Sequence, residues 1–550
     1  MSFFDDENVN LDVLKRKAYN LRWAEVEEGV IPLTAADPDF PCPPMVKQAM
    51  LDYISDGYFS YTPKTGFDDF KIALSNYVKD LKNENIPAKN VLPVDSAARA
   101  MYIVAKAFLK PGDEMIVFDP CDFLFRESCL AAGATPVYYS CGIDEKKRKM
   151  DLSKLESCIT EKTKMIGLCN PHNPYGLTYT KEELDYIMSL CEKYDLYIMN
   201  DEIWSDIVYP DAKFESIYCL GNERCHRVMS VFGYSKSFGL AGLRVGCVYT
   251  TNDDAFDKLV EASDVMSTAG GATSISQVAA IAAMNDSRDW GKEFIKHLTE
   301  NRDYAVNFIN NNIPQLHAYR PKATYLLYVD IKDLNCTAVE LVDFLKKEVK
   351  LSVVPGGHNY FGNQSEGHVR ICIATSKGIL HEGLNRLKLG VEMINDVWGL
   401  TKDKDMASVI AKHNAYVCIM HNQDGTEYDK DIIESIKEFL LESVDIAIEA
   451  GIDKNKIVLD PGIGFGKTYE QNLEVLKRLG ELKTLGYPIL LGTSRKSVIG
   501  NTLDLPPQER VEGTIATTVL GIRDGVDIVR VHDVEKNLRA AKMADAIYRG

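Results

Sequence analysis

The sequence has 550 residues, which is more than one hydrophobic core normally spans, and 45% of them are hydrophobic, as is usual in globular proteins. Two or three domains are therefore predicted. The formal net charge of −17 excludes nucleic acid and anionic membranes as general partners, because binding to phosphate-rich surfaces requires a basic protein surface.

The cysteines and the N-terminal segment indicate the compartment in which the protein works. The 13 cysteines include no C-x-x-C pair and no paired spacing with histidine, so we expect free thiols in a reducing compartment and no metal site. The segment MSFFDDENVN is acidic where a targeting signal would be basic, and no apolar run approaches the ~18 residues that cross a bilayer. A cytoplasmic protein is the simplest prediction.

From about residue 90 to residue 250, short apolar runs alternate with helical patterns. The runs are EMIVFDP, TKMIGLCNP, LYIMNDEIW, VMSVFGYS and RVGCVYTT. This rhythm predicts βαβ units around a mostly parallel sheet.

After residue 390 the alternation becomes more regular. The apolar runs are EMINDV, YVCIMHN, KIVLDPG, PILLGTS and DIVRVHD, and every one ends in polar or charged residues. In a β/α barrel the carboxyl ends of the strands carry the chemistry, so these runs favour a barrel with one shared site. The alternative is that polar residues simply end each strand. In HEGLNRLKLGVEMINDVWGL, residues 381–400, a helical pattern passes into a strand pattern without a linker.

The stretch GYSKSFGLAGLRVG, residues 233–246, has the highest density of chemically useful residues. Lys236 follows a strand among small residues, as a lysine that forms a Schiff base with a cofactor carbonyl must. Arg244 supplies a cation for a cofactor phosphate. A solvated lysine in a Gly/Ser-rich turn would explain the stretch equally well on its own.

Three further segments favour the cofactor interpretation. NPHNPYG places Asn173 after a strand, and MNDEIWSD places Asp201 at the end of one, where a carboxylate can pair with a protonated pyridine nitrogen. VDSAARAMYIVAKAFL presents Ser96 as the N-cap of a helix, and a helix N-terminus is a ready phosphate site. Each feature could be ordinary strand-end or capping chemistry, but their joint occurrence is hard to explain in that way.

With these motifs, residues 1–388 resemble the fold-type I pyridoxal-phosphate enzymes of the class I/II aminotransferase family. The resemblance implies an α/β fold with a large domain over about 50–275 and a small domain from 1–49 and 276–388. It implies pyridoxal 5'-phosphate as cofactor and an amino acid and a 2-oxo acid as substrates.

The same resemblance implies a role for each site residue. Lys236 forms the Schiff base, Asp201 pairs with the pyridine nitrogen, and Arg370 in GHVRICIA binds the substrate carboxylate, for which a guanidinium has suitable bidentate geometry. Tyr61 in YTPKTG would reach the phosphate of a neighbouring subunit, which implies a homodimer. The remaining implied cofactor contacts are Asn173, Ser96, Ala97, Ser235, Arg244, Trp204 and Phe123.

Some positions depart from the family pattern. Trp204 stands where a tyrosine commonly donates to the cofactor 3-hydroxyl, and Gly233 stands where a hydroxyl residue often meets the phosphate. In DPCDFLF the stacking aromatic is displaced, with Asp122 beside Phe123. These changes affect substrate and reaction preference more than cofactor binding.

Two reactions fit this half of the sequence. TAADPDFPCPP and KATYLLYVDI resemble both aminotransferases and cystathionine β-lyase-like C–S lyases. Lys236 would carry the proton in either reaction. We predict transamination, with β-elimination as the alternative.

The glycine-rich run KIVLDPGIGFGKT in the second half is not a phosphate-binding P-loop. That motif needs a glycine five residues before Gly466, and Pro461 stands there. A strand-end carboxylate, Asp460, remains. GTSRKS then places Lys496 and Ser497 after a strand, and VRVHDV projects two cationic side chains, Arg530 and His532, from one strand face. This last pair predicts either an anion site or satisfied core polar residues.

Residues 391–550 resemble the latter part of dihydropteroate synthase, which joins a pterin pyrophosphate to p-aminobenzoate. The resemblance assigns Asn395, Asp460 and Lys496 to the pterin, with Met420 packed against it. It places Arg530 and His532 at the pyrophosphate and Ser497 on the p-aminobenzoate side.

The early segments of that family, of the types N-V-T-P-D-S-F and I-D-T, do not occur in this sequence. Only five strand–helix units fit into the 550 − 390 = 160 residues available, against eight in a complete barrel of ~250 residues. We therefore predict an aminotransferase followed by a truncated, inactive TIM-type barrel fragment. The alternatives are a bifunctional or pterin-regulated protein of folate biosynthesis.

Overall fold

The computed structural model describes residues 3–144, 148–267, 270–334, 336–412 and 415–549. The chain divides into two compact units, Met1–Leu387 and Lys388–Gly550. The predicted boundary near residues 388–391 lies beside this division, and the predicted limits of the large and small domains stay predictions. Among the described residues, no helix is both long and apolar enough to cross a membrane.

The first unit mixes strands and helices throughout. Its strands are β1 (Ile31–Pro32), β2 (Val91–Val94), β3 (Glu114–Asp119), β4 (Thr135–Ser140), β5 (Ile143–Asp144), β6 (Lys149–Met150), β7 (Thr163–Cys169), β8 (Tyr197–Asp201), β9 (Val228–Gly233), β10 (Gly246–Tyr249), β11 (His317–Ala318), β12 (Leu326–Asp330), β13 (Leu351–Ser352), β14 (Val354–Pro355) and β15 (His368–Cys372). Its helices are α1 (Leu11–Lys17), α2 (Pro44–Ile54), α3 (Asp68–Lys82), α4 (Ala97–Phe108), α5 (Leu124–Ala131), α6 (Lys181–Tyr194), α7 (Ser235–Phe238), α8 (Asp253–Ser263), α9 (Ser274–Asp286), α10 (Arg288–Asn312), α11 (Ala338–Glu348) and α12 (Lys377–Glu392).

A seven-stranded sheet in the order β2-β10-β9-β8-β7-β3-β4 forms the centre of the first unit. The predicted strands and their mostly parallel arrangement are confirmed, except that β10 runs antiparallel to both of its neighbours. Strands β7, β8 and β9 are adjacent and parallel, so their carboxyl ends meet at one edge of the sheet. In open α/β sheets this edge is where ligands bind.

A smaller antiparallel sheet, β11-β12-β15-β14, lies in the same unit. Arg370 is at the middle of β15, opposite Tyr328 on β12 and Val354 on β14. Strand β15 is buried along its whole length, so this guanidinium belongs to the interior.

The second unit is a run of parallel strands separated by helices. Its strands are β16 (Met393–Asp396), β17 (Tyr416–Met420), β18 (Ile457–Asp460), β19 (Leu490–Leu491) and β20 (Ile528–Val529). Its helices are α13 (Met406–Lys412), α14 (Ile432–Glu449), α15 (Tyr469–Lys477), α16 (Ser497–Leu503), α17 (Val511–Arg523) and α18 (Val534–Tyr548). Strands β16, β17 and β18 pair in order, a bridge between Leu459 and Ile489 joins β18 to the segment of β19, and β19 pairs with β20. The unit is the predicted barrel fragment of five strands.

A buried ionic cluster lies in the first unit around Lys82, the last residue of α3. Its Nζ is 2.6 Å from Glu202 Oε2 and 3.3 Å from Glu84 Oε1, and it donates to Tyr249 Oη at 3.1 Å. The side chains of Lys82, Glu84 and Glu202 are at most 2% exposed. Burial, with the nearby Glu202, raises the pKa of Glu84 to about 8, so at neutral pH Glu84 holds a proton and Glu202 is the carboxylate paired with Lys82.

The variant Lys82→Met leaves buried Glu202 without its cation. We expect the free energy of unfolding, measured by urea denaturation, to fall by about 3–5 kcal/mol, the usual cost of breaking a buried ion pair from one side. The double variant with Glu202→Gln should recover part of the loss. Lys89→Met is the matched control, since that lysine and its partner Asp253 are 66% and 63% exposed, and its stability should stay near that of the parent. Equal effects of the two lysine variants would contradict the assignment.

Candidate active site

Lys236 follows β9 at the start of the short helix α7 and is half-buried. Its Nζ donates to the carbonyl oxygen of Ala36 at 2.7 Å, and Tyr325 Oη donates to the same oxygen at 3.2 Å. None of the ion pairs formed by the described residues includes Lys236. Burial lowers the pKa of its amine, although Asp37 and Asp122 oppose that shift. A lysine with a lowered pKa is more easily deprotonated and therefore more nucleophilic.

Asp201 is the last residue of β8 and is 6% exposed. Its Oδ1 accepts a hydrogen bond from the amide of Ile203 at 3.0 Å. Burial raises the pKa of Asp201 to about 7, and the charge of Asp122 adds to the increase. The buried Trp204 lies nearby in sequence and packs edge-on against Tyr325 at 4.7 Å. A cation placed beside Asp201 would restore its charged form.

Hydrogen bonds link Asn173, Asp122 and Arg370 into a chain. Asn173 Nδ2 donates to Asp122 Oδ2 at 2.9 Å, and Arg370 Nη1 donates to Asn173 Oδ1 at 3.3 Å. Arg370 is 8% exposed and lies over the Phe361 ring at 4.7 Å, and its buried Nε has no hydrogen-bond partner in the part of the chain that the structure describes. Burial lowers the pKa of this guanidinium. A buried arginine with an unused donor is suited to bind a carboxylate ligand.

Arg244 contacts the N-terminus of α4 and is a third cation of the first unit, besides Lys236 and Arg370. Ser96 caps the helix as predicted, and its Oγ accepts from the amide of Arg99 and from Arg244 Nη2, both at 3.1 Å. Arg244 has a left-handed backbone with φ 52°. Gly246 allows β10 to approach the helix, since a Cβ there would lie 2.5 Å from the amide nitrogen of Ala97. A helix N-terminus beside an arginine is an anion site.

Four other residues that the sequence analysis predicted to contact the cofactor lie at helix starts or on the surface. Ala97 and Ser235 are the first residues of α4 and α7. Tyr61 is 95% exposed and Phe123 is 45% exposed, and neither contacts Lys236 or Asp201 among the bonds and ring contacts of the described residues. Their roles stay predictions.

The sequence analysis missed the residue that holds the lysine amine. The carbonyl of Ala36 lies 200 positions from Lys236 in the chain. A backbone carbonyl leaves no signature in residue type, so no sequence signal could have identified it.

The second unit brings Asp460, Arg530 and Lys496 together. Asp460 is 1% exposed, its Oδ1 accepts from the amide of Gly462 at 2.8 Å, and its Oδ2 lies 3.6 Å from Arg530 Nη2. Lys496 Nζ donates to the carbonyl of Ile463 and lies 4.4 Å from the centroid of a phenylalanine ring at position 465. Burial raises the pKa of Asp460 and lowers that of Lys496 to about 8. One carboxylate and two cations thus converge at the end of β18.

The other predicted residues of this site differ in exposure. Met420 is fully buried and pairs in register with Asp460, whereas Ser497 is exposed. Asn395 has a buried Oδ1 with no hydrogen-bond partner among the described residues. The His532 amide donates to Ser494 Oγ at 3.1 Å, and its Nδ1 lies 2.9 Å from the same oxygen.

Lys467 follows the glycine-rich loop in the sequence, and it has a structural role here that the sequence analysis did not assign to it. Its Nζ lies 2.9 Å from His421 Nδ1 and donates to the carbonyls of Gly462 and Phe465 at 3.1 and 3.0 Å. Burial lowers the pKa of His421 to about 3, so the imidazole is neutral and can accept from the lysine. Gly462 has φ 68°, and a Cβ there would overlap the carbonyl oxygen of His421. Lys467 therefore fixes the glycine-rich loop after β18.

Among the described residues, no group of three or more His, Cys, Asp or Glu side chains is placed to hold a metal ion.

The family model described as aminotransferase class I and II matches residues 28–387. An aspartate aminotransferase of Bacillus subtilis (strain 168) is 30% identical over 371 residues, which are 66% of this chain and 91% of that protein. The chain belongs to the class I and II aminotransferase family.

Solved structures agree with this assignment of the first unit. An aromatic aminotransferase from Pyrococcus horikoshii OT3 is 27% identical with a TM-score of 0.61, covering 66% of this chain and 95% of that one. Cystalysin from Treponema denticola, with a pyridoxal 5'-phosphate cofactor, has a TM-score of 0.64 over 68% of this chain and 96% of its own. Its identity is 22%, so this likeness concerns the fold alone.

The family model described as pterin binding enzyme matches residues 362–532. Dihydropteroate synthases of Clostridium beijerinckii and Bacillus subtilis are 60% and 54% identical to this chain over 182 and 161 residues, or 33% and 29% of it. The chain spans only 66% and 56% of the lengths of those two proteins.

Asp201→Asn should change how stability depends on pH. With a folded-state pKa of about 7 against an ordinary 3.8, the folded protein keeps a proton between these values that the unfolded chain has lost. This group therefore contributes stability that falls as pH rises from 4 to 7 and stays lost above 7. An asparagine side chain does not titrate in this range, so the Asp201→Asn variant should lack this decline in stability.

The measurement is the melting temperature of the protein without added ligands at pH 5 and pH 8. The melting temperature of Asp201→Asn minus that of the parent should be larger at pH 8 than at pH 5. Asp195→Asn, at an aspartate whose side chain is 98% exposed, is the control and should follow the parent. An identical pH dependence in parent and Asp201→Asn would show that Asp201 is not the buried titrating group.

Proposed function

We propose that the first unit is a pyridoxal-phosphate-dependent aminotransferase that moves an amino group from an amino acid to a 2-oxo acid. The observation that carries the proposal is the set of three buried or half-buried charged groups, Lys236, Asp201 and Arg370, none of which has an ion-pair partner among the described residues. Leaving such groups uncompensated destabilises a protein unless a ligand supplies the missing partners.

The residues present fit this cofactor. Asp201 would face the protonated ring nitrogen, whose positive charge would return the carboxyl to its charged form. Asn173 would bond the 3-hydroxyl, and Arg244 with Ser96 at the α4 N-terminus would hold the phosphate. The cofactor supplies a carbonyl that condenses with amines and a ring that withdraws electrons from the bond being broken.

The protein's own groups would perform the remaining tasks. Arg370 would bind the substrate carboxylate, because its Nε is unused and it is held by Asn173 and Phe361. The Lys236 amine would accept the proton from the substrate α-carbon and deliver it to the cofactor, because burial lowers the pKa of this amine. The buried Trp204 would exclude water from the side of Lys236, whose Nζ is 5.8 Å from its ring.

We place the active protein in a homodimer. Tyr61 and its neighbours Tyr58 and Phe59 are 95%, 80% and 62% exposed. Large aromatic side chains in an exposed run are typical of a surface that a partner covers. This supports Tyr61 reaching the phosphate site of a second copy. The cytoplasmic location stays a prediction.

The test is the visible absorbance of the cofactor-loaded protein as single amino acids are added without a 2-oxo acid. We expect the absorbance band of the bound cofactor to disappear stoichiometrically. One equivalent of 2-oxo acid should be released, because the amino group stays on the cofactor. Lys236→Ala should lower this conversion by about 10²–10⁴-fold, the usual contribution of a proton-transferring side chain. Lys213→Ala, at an amine whose side chain is 81% exposed, is the control.

A different outcome would identify the alternative reaction. Repeated release of pyruvate from a cysteine thioether, with return of the starting band, would make the protein a C–S lyase.

We further propose that the second unit does not synthesise dihydropteroate by itself, although its polar cluster would bind a pterin. The support is that the described residues of this unit form five strands, where a closed β/α barrel has eight. Asp460 and Lys496 are the pterin-facing groups in this proposal. A site whose walls are incomplete binds its ligand weakly and leaves it exposed to water.

Incubating the purified protein with a pterin pyrophosphate and p-aminobenzoate should therefore yield no dihydropteroate. The dihydropteroate synthase of Clostridium beijerinckii, assayed alongside, is the positive control. Turnover by the protein would overturn this proposal and favour a bifunctional enzyme. A change in aminotransferase rate on addition of a pterin would instead favour a pterin-regulated protein.

A further inference from the structure

The sheet of the second unit has two unpaired edges within the described residues. Strand β16 pairs with β17 alone, and β20 pairs with β19 alone. All residues of both edge strands are half-buried, whereas the inner strands β18 and β19 are buried throughout. Parallel strands are normally paired on both sides and covered on both faces.

The edge strands are short, but they carry neither of the two residue types that most often keep sheet edges from pairing. Proteins guard free edges with lysine, proline or a bulge. Strand β16 reads MIND and β20 reads IV, so neither contains a lysine or a proline. The one charged side chain, Asp396, is engaged in the next turn, where it accepts from the amides of Trp398 and Leu400 at 2.9 Å each.

The interior face of the sheet is also unfinished at both ends. Its centre is the buried cluster of Cys418, Val458 and Leu490, and Met393 and Ile528 pack against that cluster from the two edge strands while remaining partly exposed. In a closed barrel each interior layer is completed by side chains from further strands. Here the layer ends at two apolar residues that are only partly buried.

The number of strands decides what fits between the edges. A barrel of eight parallel strands has an interior that side chains just fill, and the diameter grows with strand number. Three strands added to the five give eight, whereas a second copy of this sheet would give ten. The chain also spans only 66% and 56% of the two dihydropteroate synthases, which leaves about a third or more of their length without a counterpart.

We propose that the second unit binds, between β16 and β20, a separate polypeptide of three strand–helix units that closes an eight-stranded barrel. The partner presents two parallel edges to the free N–H and C=O groups of β16 and β20, and apolar side chains to Met393 and Ile528. This inference rests on the proposal that the second unit is an incomplete barrel. Closure would also enclose Asn395, whose buried Oδ1 has no partner among the described residues.

The test uses the full 550-residue chain co-expressed with the segment of the Clostridium beijerinckii dihydropteroate synthase that has no counterpart in this chain. We expect one segment bound per chain after purification. Amide exchange should slow in β16 and β20 on binding and stay unchanged in β18, which is already paired on both sides.

A substitution at the unfinished interior layer separates closure from general stability. Ile528→Lys places a charge that is solvated in the open sheet but would be desolvated in a closed barrel. We expect this variant to fold with a parent-like melting temperature and to bind the segment at least tenfold more weakly. Leu503→Lys is the matched control on α16, where the leucine is 43% exposed, and it should bind like the parent.

The outcomes distinguish this inference from the proposed function. Failure of the segment to bind, with no dihydropteroate made by the chain alone, overturns the inference and leaves the proposed function standing. Edges protected by self-association, with no segment bound, overturn it in favour of a second copy. A stoichiometric complex with slowed exchange at both edges supports it, whether or not the complex gains synthase activity.

Discussion

The first unit depends on the burial of Asp201 at the end of β8. A carboxyl group there has a single backbone donor, so its charge is unfavourable until a cation arrives. The adjacent ends of β7 and β9 bring the segments of Asn173 and Lys236 to the same edge of the sheet. The site is therefore electrostatically incomplete by construction, and a ligand with a protonated ring nitrogen, a carbonyl and a phosphate would complete it.

The next residue in the chain, Glu202, belongs to a different environment. It pairs with Lys82, accepts from Asn200 Nδ2 at 2.9 Å and from Ser216 Oγ at 3.0 Å, and so has more partners than its neighbour. The two consecutive acidic residues thus differ in their partners. Glu202 has an ion pair and several hydrogen-bond donors, whereas Asp201 accepts a hydrogen bond from one backbone amide. The ion pair and hydrogen bonds of Glu202 hold the end of β8 in place. The fold can therefore keep Asp201 buried without a cation, which is energetically unfavourable.

The second unit shows the same contrast on a larger scale. Its interior is well packed around β17 and β18, and Lys467 has three acceptors that fix the glycine-rich loop. Its edges and the outer ends of its interior layer are unfinished. A local polar cluster can therefore form from five strands, because each βα unit packs on its neighbours. The closed cavity that would surround a ligand cannot, because closure is a property of all eight strands.

The sequence by itself determined the strand rhythm of both units, the helix cap at Ser96 and the residue types at the strand ends. These follow from local periodicity and capping chemistry, which a short window of sequence contains. Tertiary structure alone decided that Ala36 holds the lysine amine, that Asn173 bridges Asp122 and Arg370, and that Lys467 meets His421. Such partners lie far apart in the chain, and a contact between distant residues has no local pattern to reveal it. The raised pKa of Asp201 was likewise decided by tertiary structure, since it arises only when folding removes water from around the carboxyl group.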